Sequence, residues 1–146
     1  MLTRARSDGV VVLRAPVAGD AAVLVAGRDE LFHRFMGEGD AHPVPTACIL
    51  VDHDIVGWVD YEVDRPWLLS GEVNVGYNVF AAHRGNGYAT RAVELLLQHL
   101  AEDTTYDTAT LLIDPNNERS LALAQRAGFV AHGTLDGNLY WKRRVR

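Results

Sequence analysis

Seven consecutive residues, Arg84-Gly85-Asn86-Gly87-Tyr88-Ala89-Thr90, have the types and spacing needed to hold a phosphate. Gly85 and Gly87 tolerate positive φ and bare the backbone, so successive N–H groups can turn into one concavity. An apolar repeat begins directly after them and predicts a helix, whose N-terminus adds unpaired N–H donors and the positive end of the dipole. Arg84 brings a full charge in a fork geometry suited to phosphate. Together these features favour a pyrophosphate. An ordinary glycine turn ahead of a helix is the plainer reading of the same string. No G-K-[ST] follows, which excludes a Walker A loop. Thr90 and the meander of strands before the string speak against a Rossmann loop.

The elements that must position this string follow from periodicity. Gly9–Ala15 reads as a strand, Asp20 as the cap of a short helix over Ala21–Ala26, and Glu30–Met36 as a second helix ended by Gly37 and Gly39. Thr46–Val51 and Ile55–Val63 read as a hairpin about Asp52-His53-Asp54, and Glu72–Phe80 as the next strand. In that strand Val73, Val75, Tyr77 and Val79 share one face, and Glu72, Asn74, Gly76 and Asn78 share the other. The strongest helix runs from Gly87 to Ala101, with Ala92, Val93, Leu96, Leu97 and Leu100 at helical spacing. A strand over Thr108–Ile113 and a helix over Asn117–Ala127 follow, the helix stopped by Gly128 with Phe129 behind it. Two end strands, Phe129–Leu135 and Leu139–Val145, flank the hairpin signal Asp136-Gly137. The order β-αα-β-β-β-α-β-α-β-β predicts a mixed α/β sandwich, antiparallel in its first half, with helices on both faces.

Composition bounds the partners. At 146 residues the chain is one domain, residues 1–146, and 48% apolar residues suffice for a core. Fourteen Lys and Arg against nineteen Asp and Glu leave a net charge of −5, which argues against nucleic acid as a partner. The longest strictly apolar run, Ala21–Ala26, is far short of the ~20 residues of a membrane span. The lone Cys48 reads as a small buried residue in a reducing compartment, so a cytoplasmic location is expected. No metal-ligand spacing appears, so no metal is expected. Lys142-Arg143-Arg144 reads as a charged edge that blocks unwanted strand pairing.

Gly76-Tyr77-x-Val79 followed by the Arg84–Thr90 string resembles the acyl-CoA signature of the GNAT-type N-acetyltransferase superfamily. That signature is R/Q-x-x-G-x-G/A, here Arg84 with Gly87 and Ala89. Asp114-Pro115-Asn116-Asn117-x-x-Ser120, running to Arg126-Ala127-Gly128-Phe129, is similar to the family's N-x-x-[AS]-(x)7-G-F block. The wording of both motifs looks most like the RimJ/RimL-type branch. The resemblance implies a GNAT-like three-layer sandwich around a central mixed, largely antiparallel sheet.

It also implies direct transfer of an acetyl group from acetyl-CoA, as co-substrate, to a primary amine of a protein N-terminus or a small molecule. The backbone of Arg84, Gly85, Asn86, Gly87, Tyr88, Ala89 and Thr90 would hold the pyrophosphate. A backbone N–H at about Val79 would polarise the thioester carbonyl. The amine must be neutral to attack, and Glu72 is the first candidate for a general base, with a solvated strand carboxylate as its plainer reading. Asp60, Glu62, Glu30 and His33 are its rivals. Many family members carry a Tyr seven residues after the motif Asn; here that position is Ala124. Ser120, one helical turn earlier, is the candidate proton relay to the departing thiolate, or else a helix cap. Asn117 is both a cofactor contact and an N-cap candidate. Trp67 and His33 lie in regions that line the acceptor side in this family. Ala124 also favours an alternative: a non-catalytic acyl-CoA-binding sensor or partner module. The end strands suggest a homodimer.

Overall fold

The computed structural model describes residues 2–146. They form eight strands, four α-helices and one 3-10 turn. The strands are β1 (Arg6–Ser7), β2 (Val12–Arg14), β3 (Ala47–Val51), β4 (Asp54–Glu62), β5 (Glu72–Val79), β6 (Thr108–Ile113), β7 (Val130–Leu135) and β8 (Asn138–Arg144). The helices are α1 (Asp20–Ala26), α2 (Glu30–Met36), α3 (Tyr88–Asp103) and α4 (Glu118–Arg126), with the 3-10 turn at Ala81–His83. The residues gather in two compact units. One holds the chain up to Asp60 with Tyr77–Leu95; the other holds Tyr61–Gly76 with Leu96–Arg146.

In the first unit β1, β2, β3 and β4 pair antiparallel in chain order. Where one strand is expected over Gly9–Ala15, the chain forms a tight hairpin. The Asp8 carboxylate accepts from the N–H groups of Val10 (2.9 Å) and Val11 (2.8 Å), and Arg6 comes to face Leu13. A side chain that bonds its own backbone in this way turns the chain more cheaply than an extended strand continues it. The β3–β4 link is the expected tight turn, with Asp52 at φ 49° and His53 at φ 71°, both left-handed as a type I′ turn requires. Leu13, Ile49, Val56, Val59 and Leu24 are fully or almost fully buried here.

Asp20 does not cap α1; the cap position is Gly19. The Asp20 carboxylate sits buried in the first turn, accepting from Arg14 Nη1 (2.6 Å), from the Val17 N–H (2.7 Å) and from the Cys48 thiol (3.6 Å). Cys48 is the buried residue expected, and burial pushes its thiol up to about 11.

In the second unit β5 pairs parallel with β6, β6 antiparallel with β8, and β8 antiparallel with β7. The β5/β6 pairing is parallel because the chain between them is a crossover containing α3. The sheet is therefore mixed and largely antiparallel, as expected. β8 is not an edge: β6 flanks it on one side and β7 on the other. Lys142 and Arg143 are thus inward positions with partners of their own, and β7, exposed over nearly its whole length, is the edge. The end of α4 closes as the Gly128-Phe129 pair predicts. Gly128, at φ 77°, donates to the Gln125 carbonyl and Phe129 to that of Ala124, a Schellman motif. Among the described residues no helix is long and apolar enough to cross a membrane.

Candidate functional site

The phosphate-cradle string lies in the first unit, between the 3-10 turn and α3. Gly85 (φ 84°) and Gly87 (φ 78°) are both left-handed, and a Cβ built on either would meet nothing within 4 Å. The Asn86 amide donates to the His83 carbonyl at 3.1 Å and shapes the loop from within. The first helical bond at this end runs from the Arg91 N–H to the Gly87 carbonyl, so the N–H groups of the opening turn have no helical acceptor. A glycine-bared backbone with free donors at the start of a 16-residue helix fits a pyrophosphate.

Arg84 stands differently from its expected place. Its guanidinium is engaged with Asp29, Nη1 to Oδ2 at 2.6 Å and Nη2 to Oδ1 at 3.0 Å, and Nη2 also reaches Asn78 Oδ1 at 3.4 Å. Asp29 caps α2 by accepting from the Phe32 N–H at 3.0 Å. The Arg84 guanidinium beside it, opposed by burial, holds its carboxyl down at about 2. The Arg84 fork therefore ties the cradle to the start of α2, and its backbone N–H is engaged with the Ala81 carbonyl at 3.4 Å, so the open donors of the cradle lie after it. Two glycines make room for the same strand end. The Phe80 ring lies where a side chain on Gly27 would be, and the Asn78 carbonyl oxygen where one on Gly57 would be. Neither Asp29 nor Asn78 stood out in the sequence, because their meaning depends on Arg84, which lies 55 residues from Asp29.

Three other groups lie in the second unit. Glu72 is 7% exposed, and its carboxylate accepts from Lys142 Nζ (2.7 Å), the Leu69 N–H (3.0 Å) and the Tyr140 hydroxyl (3.4 Å). Burial alone would raise its pKa; the Lys142 ammonium and the other two donors outweigh burial and hold it below the ordinary value. A group so placed is a weaker base than a free glutamate. It also explains why the Glu72 face of β5 is covered and not solvated. The parallel β5/β6 register covers Glu72–Asn74 against Thr108–Thr110, while both strands continue further.

Asn117 is the N-cap of α4, its Oδ1 accepting from the Ser120 N–H at 3.3 Å. Ser120 is thus the capped residue, not the cap, and is half-buried. Ala124 is 0% exposed, so its methyl is packed and the position holds no hydroxyl.

Of the remaining candidates, all but Glu30 and Trp67 have a local polar partner. Asp60 accepts from the N–H (2.9 Å) and hydroxyl (2.7 Å) of Thr46. Glu62 pairs with Arg65, whose guanidinium lies over the Trp67 ring. His33 is exposed with Nδ1 2.8 Å from the Gly37 carbonyl oxygen, Glu30 is exposed, and Trp67 is half-buried.

Comparison with known proteins bears directly on this arrangement. Residues 26–130 match the family described as Acetyltransferase (GNAT) domain. Among solved structures, the acetyltransferase from Agrobacterium tumefaciens str. C58 is 18% identical at TM-score 0.78, over 96% of this chain and 94% of that one. RimL, a ribosomal alpha-N-protein acetyltransferase in complex with coenzyme A, is 14% identical at TM-score 0.72, over 97% and 98%. Mycobacterium smegmatis RimJ, in complex with CoA-disulfide, is 22% identical at TM-score 0.73, over 93% and 82%. No curated protein matches. At these identities the solved structures carry the fold, and the family follows from the match over residues 26–130: the chain belongs to the GNAT acetyltransferases.

Proposed function

We propose that the protein transfers the acetyl group of acetyl-CoA by direct attack to an α-amino group, that of a protein N-terminus, within one domain spanning residues 1–146. The observation that carries the α-amine over other amines is the engaged state of the three strand carboxylates that were candidates for a base, which leaves only the exposed Glu30 and His33 of α2. Glu72 is tied to Lys142, Asp60 to Thr46 and Glu62 to Arg65. An alkylammonium with pKa near ~10.4 is neutral roughly one time in a thousand at pH 7.5, and needs a base. An α-amine with pKa near ~7.7–8 is roughly one-third neutral there and needs none.

In this reading the backbone of Gly85–Thr90 holds the pyrophosphate and the Val79 N–H faces the developing oxyanion. The nitrogen bonds to the acetyl carbon, the C–S bond breaks, and the amine's proton is lost to water. The Ser120 hydroxyl, near the start of α4, relays a proton to the leaving sulfur. Asn117 keeps α4 in register beside its cofactor contact. Glu72 acts by holding Lys142 and Tyr140 in place. Trp67 and His33 bound the acceptor side. The exposed edge strand β7 carries a homodimer contact, and the buried thiol Cys48 suits a reducing cytoplasm.

Turnover of acetyl-CoA with peptides of free and blocked N-terminus, followed by thiol release, tests the assignment. The rate constant kcat/KM should rise with pH and level off near pH 8, and blocked peptides carrying lysine should be poor substrates. A profile still climbing at pH 10 would overturn the α-amine assignment. The buried Ala124, in place of the Tyr that the family resemblance implies, favours a second reading, an acyl-CoA-binding module without turnover. Tight acetyl-CoA binding with no thiol release on any amine would select it.

A further inference from the structure

Asn78 lies on β5 just before Val79 and is 7% exposed. Its side-chain oxygen accepts from Arg84 Nη2 at 3.4 Å. A guanidinium has donors only, so it settles which end of the amide faces it: Oδ1 points at Arg84, and Nδ2 points elsewhere. Nδ2 is buried and has no acceptor among the described residues. Buried donors without a partner are few in native proteins, and each calls for an explanation.

The orphan is held in place from both directions. Asp29 grips Arg84 through two bonds, and is itself fixed as the cap of α2 by the Phe32 N–H. On the backbone side, the Asn78 carbonyl oxygen abuts Gly57, where no side chain fits. A series of engaged groups thus ends on one unanswered amide NH2, in the unit that also holds Val79 and the cradle.

We infer that Asn78 Nδ2 is a binding donor for a carbonyl oxygen of acetyl-CoA, either the thioester carbonyl or an amide carbonyl of the pantetheine arm. The inference rests on the acetyltransferase reading and deepens it. An acceptor amine is excluded as the partner on chemical grounds: as an ammonium it has no lone pair to accept with, and as a neutral amine its lone pair is spent on the acetyl carbon. A diphosphate is already answered by the backbone donors of the cradle. An oxygen without protons is what the amide lacks.

Titration calorimetry on the full chain, with acetyl-CoA and with CoA, tests this. Asn78→Asp keeps the oxygen for Arg84 and replaces the donor by an acceptor of equal size; Asn78→Ser serves if the first variant is poorly folded. Acetyl-CoA affinity should fall about tenfold. A fall confined to acetyl-CoA assigns the thioester carbonyl, and an equal fall for CoA assigns a pantetheine amide. Unchanged affinity for both in a folded variant overturns the inference, a buried water then being the partner. So does an effect confined to the KM of the amine. Wild-type protein that binds neither ligand overturns the acetyltransferase reading itself, and the inference falls with it.

Discussion

The carboxylate of Asp29 and the guanidinium of Arg84 make a two-point contact that a lysine in place of Arg84 could not reproduce, since only the fork presents two parallel donors. Because Asp29 is held at about 2 in the folded chain, against about 3.9 when unfolded, it contributes stability above pH ~4 that is lost as pH falls towards 2. Asn in place of Asp29 should therefore flatten the acid limb of a pH–stability curve between about pH 4 and 2 and leave its neutral part lower. An unchanged acid limb would show that the pair does not titrate with folding. At Gly87 the expectation separates binding from stability. Gly87→Asp must hold a left-handed φ, which costs ~1–2 kcal/mol, but meets no neighbour. Acetyl-CoA binding should be lost in calorimetry, through repulsion of the phosphates, while the melting temperature falls by only about 2–6 °C. Normal binding by this variant would remove the cradle assignment. The two glycines were legible from the sequence because their property is local. The partner of Arg84 was not, since an isolated arginine carries no mark of which carboxylate will face it.

At the scale of elements, α4 is defined by its two ends. Asn117→Ala removes the acceptor for the Ser120 N–H and should cost ~1 kcal/mol. Gly128→Ala meets only the Arg143 side chain, at 4.0 Å, so its cost is that of the left-handed φ, ~1–2 kcal/mol. Both values are read from denaturant midpoints. If Asn117 also contacts the cofactor, its variant alone should lose acetyl-CoA affinity at equal stability loss; equal affinities would leave it a cap only. Both ends of this helix were readable in advance, because a cap and a Schellman turn involve residues within five positions of each other. The turns at Asp52-His53 and Asp136-Gly137 were readable for the same reason. Asp20 shows the limit: it has the type of a cap, yet Arg14 and the Val17 N–H claim its carboxylate first.

For the molecule as a whole, the strand order β6-β8-β7 decides what the C-terminal charges do. Lys142, read as part of a protective edge, pairs with buried Glu72, and Arg143 donates to the Ala127 carbonyl at 2.7 Å. The edge falls instead on β7, where Val130 is 62% exposed. Val130→Lys should shift a homodimer to monomer in sedimentation velocity without changing acetyl-CoA affinity. A wild-type chain that is already monomeric would end that proposal. The amino-acid sequence by itself determined the order of helices and strands from α1 onward, the hairpin turns at Asp52-His53 and Asp136-Gly137, the glycine cradle and the family motifs, all of which depend on residues close together in the chain. Only the tertiary structure decided which charges are free to do chemistry. Glu72, Arg84 and Asp29 each meet their charged partner 55 to 70 residues away, and a buried charge is governed by the group that faces it more than by its neighbours in sequence.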